Sequence, residues 1–214
     1  MSIDLDVIPS SSRIPTIAEL VAQMEIVLAT LTADQVAVRL WADEGLTASR
    51  LLVEVIDESA DKDHPIRFRD GAMKVDMGEH QYGWVSMDDH KIGFDFYFFG
   101  KEEYWPEGSS WHDYVLKDIA SKVTPESGLA LFPFERAATL GYSWSMRGRA
   151  GRSAATWLLA GVTATALAQL TDGFLWSDDG GADWDRVPAS PGAFMAWFPT
   201  WVEGTWKGWR NSYS

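Results

Sequence analysis

Carboxylates are the side chains of this chain most able to do chemistry. The 214 residues include 31 Asp and Glu but only four His and no Cys. The lack of cysteine excludes a thiolate nucleophile, a disulfide and Cys-ligated zinc. Adjacent acids such as Asp57–Glu58 and Glu102–Glu103 have the residue types of a glycosidase acid–base pair. Because so acidic a chain also contains such pairs without catalysis, and no Gly-x-Ser-x-Gly motif is present, the sequence favours a protein that is not an enzyme.

The histidines form no close pair of metal ligands. They are His64, His80, His90 and His112. None stands in the His-Glu-x-x-His spacing that places two imidazoles on one helix face. His80 and His90 are the best candidates, because a hairpin would bring them together near Asp88–Asp89. Histidines beside acids are common on surfaces, so the sequence predicts no metal and no other cofactor.

A basic run, "SMRGRAGRS" (Ser145–Ser153), precedes an apolar segment. It lacks the Gly-x-x-x-x-Gly-Lys-Ser/Thr register of a phosphate-binding loop, since Arg152 stands in place of the lysine. We expect a flexible, solvated lead-in to a helix. The alternative is that Arg147, Arg149 and Arg152 hold a carboxylate from the acidic half of the chain, near a helix N-terminus that favours anions.

The charge distribution favours a basic protein partner. The formal net charge is −13, and Glu54–Asp113 holds fifteen carboxylates against six Lys and Arg. Such a field repels nucleic acid and anionic membranes and speeds encounter with positively charged proteins, although solubility alone also explains it. Acids beside aromatic anchors mark the predicted partner-binding residues. These are Asp88, Asp89, Glu102, Glu103, Tyr104 and Trp105.

The elements that position these residues predict an α+β fold, with a mostly antiparallel sheet of about five to seven strands flanked by helices. A capping box, Thr16–Glu19, opens a helix that runs to Leu31. Short gaps containing Asp-Gly, Met-Gly-Glu and Asp-Asp-His predict hairpins between strands. The predicted strands are Val36–Trp41, Arg50–Ile56, Ile66–Asp70, Met73–Met77, Tyr82–Met87 and Ile92–Phe99.

The second half of the chain combines helices with short strands. Ser153–Leu170 is predicted to be a buried helix, too short and too diluted by polar residues to span a membrane, with Gly173 as its left-handed cap. The other predicted helices are Ser110–Val123, capped by Ser110 with Asp113 three residues on, and one that begins at Ser190–Pro191. The other predicted strands are Gly128–Phe134, Phe174–Ser177 and Trp184–Val187.

The chain is expected to form one domain over residues 1–214, with a subdivision near 135–150 as the alternative. Its first residues, "MSIDLDVIPSS", lack the regions of a signal peptide, which together with the absence of cysteine predicts a cytoplasmic location. Of 12 tryptophans, six lie between Trp176 and Trp209. A cluster of this size predicts either core or recognition surface, and we expect mostly core.

The segment "SDDGGADW" resembles the Asp-box, a turn repeated in sialidases and other β-propellers that act on sugars. The matching positions are Ser177, Asp179, Gly181 and Trp184. In such a turn Asp179 accepts backbone hydrogen bonds and Trp184 covers the turn. Because a propeller needs several copies, one copy predicts a structural hairpin turn. A carbohydrate-active or carbohydrate-binding protein is the alternative.

A longer segment, Ala166–Phe198, resembles the C-terminal part of some bacterial immunity proteins that neutralise polymorphic toxins. It shares their order of a helix, a Thr-x-Gly turn, a strand, an acidic turn and another helix. The resemblance implies a non-catalytic acidic protein that binds a cognate toxin. Interfaces in that group vary with the toxin, so the resemblance assigns no inhibitory residue.

Overall fold

Seven strands form one antiparallel sheet in the computed structural model, which describes residues 2–31, 34–43, 51–87, 92–100, 117–149, 152–177 and 186–212. The strand order is β3-β2-β4-β5-β6-β1-β7, with the following bounds: β1 (Ser2–Ile8), β2 (Leu52–Asp57), β3 (Ile66–Phe68), β4 (Gln81–Met87), β5 (Ile92–Phe99), β6 (Ser143–Arg149) and β7 (Phe174–Trp176). The predicted α+β class is confirmed.

The helices of the described part of the chain include two long ones in its second half. They are α1 (Ile17–Leu31), α2 (Gln35–Asp43), α3 (described over 117–121), α4 (Phe134–Leu140), α5 (Ala154–Leu170) and α6 (Pro191–Ser212). None of these helices alone is long and apolar enough to cross a membrane, whereas the pair α1 and α2, bent by 108°, passes that test by length and composition only.

Local signals explain where the helices begin. The Thr16–Glu19 capping box is confirmed: the Thr16 N–H donates to Glu19 Oε2 at 2.8 Å, and the Glu19 N–H donates to Thr16 Oγ1 at 3.2 Å. The predicted start of α6 is also confirmed, since the Ala193 N–H donates to Ser190 Oγ at 3.3 Å.

Helix α5 is the centre of the helical layer. Its residues 154–168 are all buried, because the sheet lies beneath it and α1 and α6 flank it. At its C-terminal end the residue with positive φ is Asp172 (51°), not the predicted Gly173. Gly173 is required for a different reason: a Cβ there would lie 2.5 Å from the carbonyl oxygen of Ile8.

The two faces of the sheet carry different residues. The face toward α5 is apolar and includes Leu5, Phe94, Phe96 and Met146. The opposite face, called the second face below, is covered at its β1–β7 end by residues between 117 and 140. There a smaller core contains Ile8, Ile119, Leu129, Ala137, Phe174 and Trp176.

Two predicted strands are wrong because of tertiary or capping contacts. Val36–Trp41 belongs to α2, since Asp34 Oδ1 accepts hydrogen bonds from the N–H groups of Val36 (2.7 Å) and Ala37 (3.2 Å) and caps a helix. Met73–Met77 forms only a bridge to Thr16. Its backbone instead bonds the segment before α1, where the Val75 N–H donates to the carbonyl oxygen of Pro15 at 3.0 Å.

Gly128–Phe134 is also not a strand. Gly128 has a φ of 69°, Leu131 is 98% exposed, and α4 begins at Phe134. The rings of Phe132 and Phe134 pack edge-on against Phe174, with centroids 4.8 and 5.4 Å away, and this burial replaces sheet pairing.

The predicted basic lead-in at Ser145–Ser153 is wrong over its first half, which belongs to β6. Strand β1 pairs with residues 144–149 of β6 and β5 pairs with residues 143–147, so most of its backbone is used in the sheet despite its glycine and arginines. Two further predictions lie partly outside the described residues. Only 117–121 of the Ser110–Val123 helix is seen as helix, without Ser110 and Asp113, and the described part of Trp184–Val187 is not a strand.

Gly161 allows α5 and α6 to pack closely, and this contact supports a prediction. A Cβ at Gly161 would lie 2.1 Å from Cε1 of Phe198. We expect Gly161→Ala to lower the free energy of unfolding by about 1–3 kcal/mol through overpacking. A Cβ at Gly204, on α6, would meet no other atom within 4 Å. Gly204→Ala is therefore the matched control and should raise stability by about 0.5–1 kcal/mol. Urea unfolding followed by circular dichroism measures the change in the free energy of unfolding for both variants. If both variants lose stability, the close contact between Gly161 and Phe198 is contradicted.

Candidate functional site

A row of polar and aromatic side chains crosses the second face of the sheet. Cross-strand pairing aligns Glu54 on β2, Trp84 on β4, Asp95 on β5, Arg147 on β6 and Asp4 on β1. These residues share a face because each alternates with core residues along its strand. The Asp95 cluster, as we define it, consists of Tyr82, Trp84, Asp95, Tyr97 and Arg147.

Asp95 is the centre of this cluster. Its side chain is half-buried and forms no hydrogen bond or ion pair with any other described residue. Burial raises the pKa of the Asp95 carboxyl and the nearby Glu58 charge adds to the rise, while the Arg152 charge opposes it. The fold thus places a carboxylate in a poorly solvated position with no ion-pair partner among the described residues.

Two tyrosines border Asp95. The ring centroids of Tyr82 and Tyr97 are 6.0 Å apart. Burial raises the pKa of both hydroxyls, and the Asp95 charge contributes to each rise. The Glu58 charge also raises the pKa of Tyr82. Both rings therefore stay neutral at physiological pH and present aromatic surface beside a carboxylate.

Arg147 shows what kind of group this surface holds. Its guanidinium carbon lies 5.5 Å from the ring centroid of Tyr97 and 4.9 Å from that of Phe99. Its Nε is 3.7 Å from Asp4 Oδ2. The chain therefore already places one guanidinium over aromatic rings and beside a carboxylate on this face.

Trp84 completes the cluster from the neighbouring strand. A Cβ at Gly93 would lie 2.5 Å from Cζ2 of Trp84, so the indole occupies the space that glycine leaves open. The indole Nε1 is buried and donates to no acceptor in the part of the chain that the structure describes. This buried indole donor thus lies on the strand next to Asp95, directly across from it.

Glu54, in the same row, is satisfied within the fold. Its side chain is 0% exposed, and its two oxygens accept hydrogen bonds from Arg69 Nε at 2.5 Å and Arg67 Nη1 at 3.2 Å. This triad is structural, because the carboxylate is inaccessible and both of its oxygens are used. It makes the lack of a partner at Asp95 more distinctive.

The predicted partner-binding residues flank the strand that carries Asp95. Asp88 and Asp89 precede β5 in sequence, and the others, Glu102, Glu103, Tyr104 and Trp105, follow it. All six lie outside the described residues, so their placement stays a prediction. Of the Asp-box-like turn the structure describes only Ser177, which is buried after β7; the positions of Asp179, Gly181 and Trp184 also lie outside.

The histidines described by the structure form no metal site. Nδ1 of His64 lies 2.9 Å from Asp61 Oδ2, and Nε2 of His80 lies 3.6 Å from Glu79 Oε1. No group of three His, Asp or Glu residues that could hold a metal ion occurs within the described ranges. His90 and His112 lie outside those ranges.

The adjacent acids Asp57 and Glu58 do not act as a pair. Asp57 accepts hydrogen bonds from the Ser59 N–H at 2.8 Å and Gln81 Nε2 at 2.7 Å. Hydrogen bonds from Ser59 and Gln81 lower the pKa of Asp57 to about 2. Glu58 instead acts on Tyr82, whose pKa its charge raises and which pairs with Ile56 across the sheet. Alternation along the chain separates the two carboxylates.

Asp95→Asn should make the protein slightly more stable at pH 7, which is unusual for a buried polar position. The raised pKa means that the folded state binds the Asp95 proton more tightly than the unfolded chain, so ionisation near neutral pH destabilises the fold. We expect the Asn variant to melt roughly 1–3 °C higher, a small effect because solvent screens a half-buried charge. The difference should vanish as the pH falls below 3.8, the ordinary pKa of Asp. Calorimetry between pH 3 and 8 measures this, and a lower Tm for the Asn variant at pH 7 would contradict it.

The sequence pointed to the loops around β5 rather than to the strand itself. The one signal was Asp95 alone within "IGFDFYFF", a charged residue among aromatic ones on a strand. Its cross-strand neighbours could not be read from that segment.

The chain matches no protein-family model, and comparison with curated proteins and with solved structures finds no similar protein.

Proposed function

We propose that this protein is a non-catalytic acidic binding protein that captures a basic protein partner, and that it acts as an immunity protein that neutralises a cognate bacterial toxin. The observation that carries the proposal is the half-buried Asp95 carboxylate among Tyr82, Trp84 and Tyr97, which pairs with no described residue. A surface that combines such anchors with uncompensated charge gains from meeting a partner of opposite charge.

The charge and sequence context support the same function. A net charge of −13 steers a basic protein toward this one and raises the rate of association, which suits an inhibitor that must act quickly. The predicted acidic and aromatic residues at 88–89 and 102–105 are separated by two residues on each side from β5, the strand that bears Asp95. The described elements α5, β7 and α6 also follow the order of the segment that resembles immunity proteins.

Co-expression tests the proposal. The proposal predicts that a gene beside that of this chain encodes a large secreted protein, and the C-terminal domain of that protein is the toxin to test. We expect that domain to stop growth of a host cell when expressed alone, and growth to return when this protein is co-expressed. Light scattering should then show a complex of the two purified proteins. Growth arrest that persists, with no complex at micromolar concentration, would overturn the proposal.

A charge-reversal experiment tests the predicted surface. Glu102→Lys with Glu103→Lys should slow association with the toxin about tenfold or more at low salt, and the effect should shrink as salt rises. The matched control, Glu126→Lys with Glu135→Lys, changes the net charge equally at two exposed positions elsewhere. If both variants slow association alike, only the overall field matters and the assignment of Glu102 and Glu103 fails.

One observation also supports the carbohydrate alternative. The raised pKa of Asp95 beside aromatic rings is the perturbation that a general acid of a glycosidase needs. In that case Asp95→Asn would abolish turnover of a sugar substrate while leaving sugar binding intact. Hydrolysis assays on a panel of glycosides, with Asp118→Asn as an exposed control, decide between the two functions.

A further inference from the structure

We propose that the Asp95 cluster is a receptor for one guanidinium group, the side chain of an arginine on the protein partner. This inference deepens the proposed function and rests on it. It names the chemistry of the contact: the guanidinium pairs with the Asp95 carboxylate and packs against the rings of Tyr82 and Tyr97.

Charge complementarity is the first argument. Asp95 has no hydrogen bond or ion pair with a described residue, although Glu54 in the same row is fully paired by two arginines. A half-buried carboxylate that lacks such partners is costly, and a cation brought by a partner would remove that cost. The fold therefore favours a positively charged occupant.

The aromatic walls favour guanidinium over ammonium. Guanidinium is planar, weakly hydrated and able to bind a carboxylate while it stacks on a ring, whereas ammonium is a compact and strongly hydrated charge. Tyr82 and Tyr97 supply two rings 6.0 Å apart, and Trp84 lies directly across the strand pair from Asp95. The planar guanidinium therefore packs against these ring faces better than the tetrahedral ammonium does.

Arg147 provides an example of this binding mode within the chain. Its guanidinium lies over Tyr97 and Phe99 and near Asp4, on the strand next to Asp95. The proposed site repeats the same combination one strand further along the sheet, with Asp95 in the role of Asp4. No described arginine forms an ion pair with Asp95, and the partner supplies the guanidinium that binds it.

Binding of the guanidinium should depend on pH, because the Asp95 carboxyl must be ionised to pair with it. Several elements contribute charged and titratable groups that face Asp95. Among them, the Arg152 charge competes with an added guanidinium for the Asp95 carboxylate. These groups are Glu58, Tyr82, Tyr97, Arg147 and Arg152. A bound guanidinium favours the ionised carboxylate, so affinity is expected to fall as the pH drops through the raised pKa of Asp95.

The test uses the full chain and N-acetyl-arginine amide as the probe, with N-acetyl-lysine amide as the comparison. Indole N–H signals in NMR spectra report binding, and Trp84→Phe identifies the signal of Trp84. We expect saturable binding of the arginine probe in the millimolar range and at least tenfold weaker binding of the lysine probe. Asp95→Asn should weaken arginine binding at least tenfold, Arg152→Ala should strengthen it, and Asp118→Asn, an exposed control, should change nothing.

Several results would overturn the inference. These are no saturable binding of the arginine probe, equal binding of the lysine probe, or unchanged binding in Asp95→Asn, whose fold is checked by its melting temperature. The outcome is separable from that of the proposed function. If a toxin is neutralised equally well by Asp95→Asn, the receptor is wrong and the function stands. If the arginine probe binds but no toxin is neutralised, the function is wrong.

Discussion

Replacing Arg67 and Arg69 together with alanine is expected to lower the free energy of unfolding by about 3–5 kcal/mol, the largest loss foreseen for any surface substitution in this protein. Both guanidiniums are roughly half exposed, yet their shared partner Glu54 is 0% exposed. Removing them leaves an uncompensated charge inside the fold, which water cannot reach. Chemical denaturation monitored by circular dichroism measures the loss.

Two controls separate this mechanism from a general effect of removing arginine. Arg13→Ala with Arg39→Ala also breaks two ion pairs, but the acids of these pairs, Glu19 and Glu203, keep 42% and 17% of their side-chain surface exposed, so the loss should be clearly smaller. Adding Glu54→Leu to the first double variant removes the buried charge and should recover most of the stability. The mechanism fails if the two double variants lose equal stability, or if Glu54→Leu brings no recovery.

Trp144→Ala has the second large expected effect, a loss of about 3–5 kcal/mol. The side chain is fully buried on the helix side of the sheet, with ring centroids 5.6 Å from Phe98 and 5.4 Å from Tyr142. Its Nε1 donates a 2.8 Å hydrogen bond to the carbonyl oxygen of Val75. The substitution therefore opens a cavity and leaves a buried carbonyl without its donor.

A graded series tests the two parts of that effect. Trp144→Phe keeps most of the ring packing but loses the hydrogen bond, so we expect a smaller loss of roughly 1–3 kcal/mol. Hydrogen exchange should speed up selectively at Val75, whose N–H bonds Pro15. Trp41→Ala, at a half-buried position on α2, is the control and should cost clearly less than Trp144→Ala. Equal losses for Trp41→Ala and Trp144→Ala would contradict the placement of Trp144 in the core.

Expectations that rested on adjacent residues were confirmed. The capping box at Thr16–Glu19 uses side chains three residues apart, so its hydrogen bonds are visible in the sequence. The apolar composition of Ser153–Leu170 also sufficed to predict a buried helix. The strands around Leu52–Asp57, Gln81–Met87 and Ile92–Phe99 alternate clearly and were found as expected.

Expectations failed where a short pattern fits two structures. Apolar residues in Val36–Trp41 recur at both strand and helix spacing, and the Asp34 cap decides for the helix. Met73–Met77 alternates like a strand, but Pro15 and Trp144 take its backbone groups. Ser143–Arg149 has the glycine and charge of a loop, and becomes a strand because β5 and β1 offer pairing on both sides.

The sequence by itself determined the α+β class, the net charge of −13 and the local signals that begin helices. Only the tertiary structure placed Asp95 beside Trp84 on one strand and Arg147 on another, and paired Glu54 but not Asp95 with a described arginine. The physical reason is that hydrogen-bond register joins strands far apart in the chain. Register decides which side chains on the second face are neighbours, and no local pattern of residues encodes it.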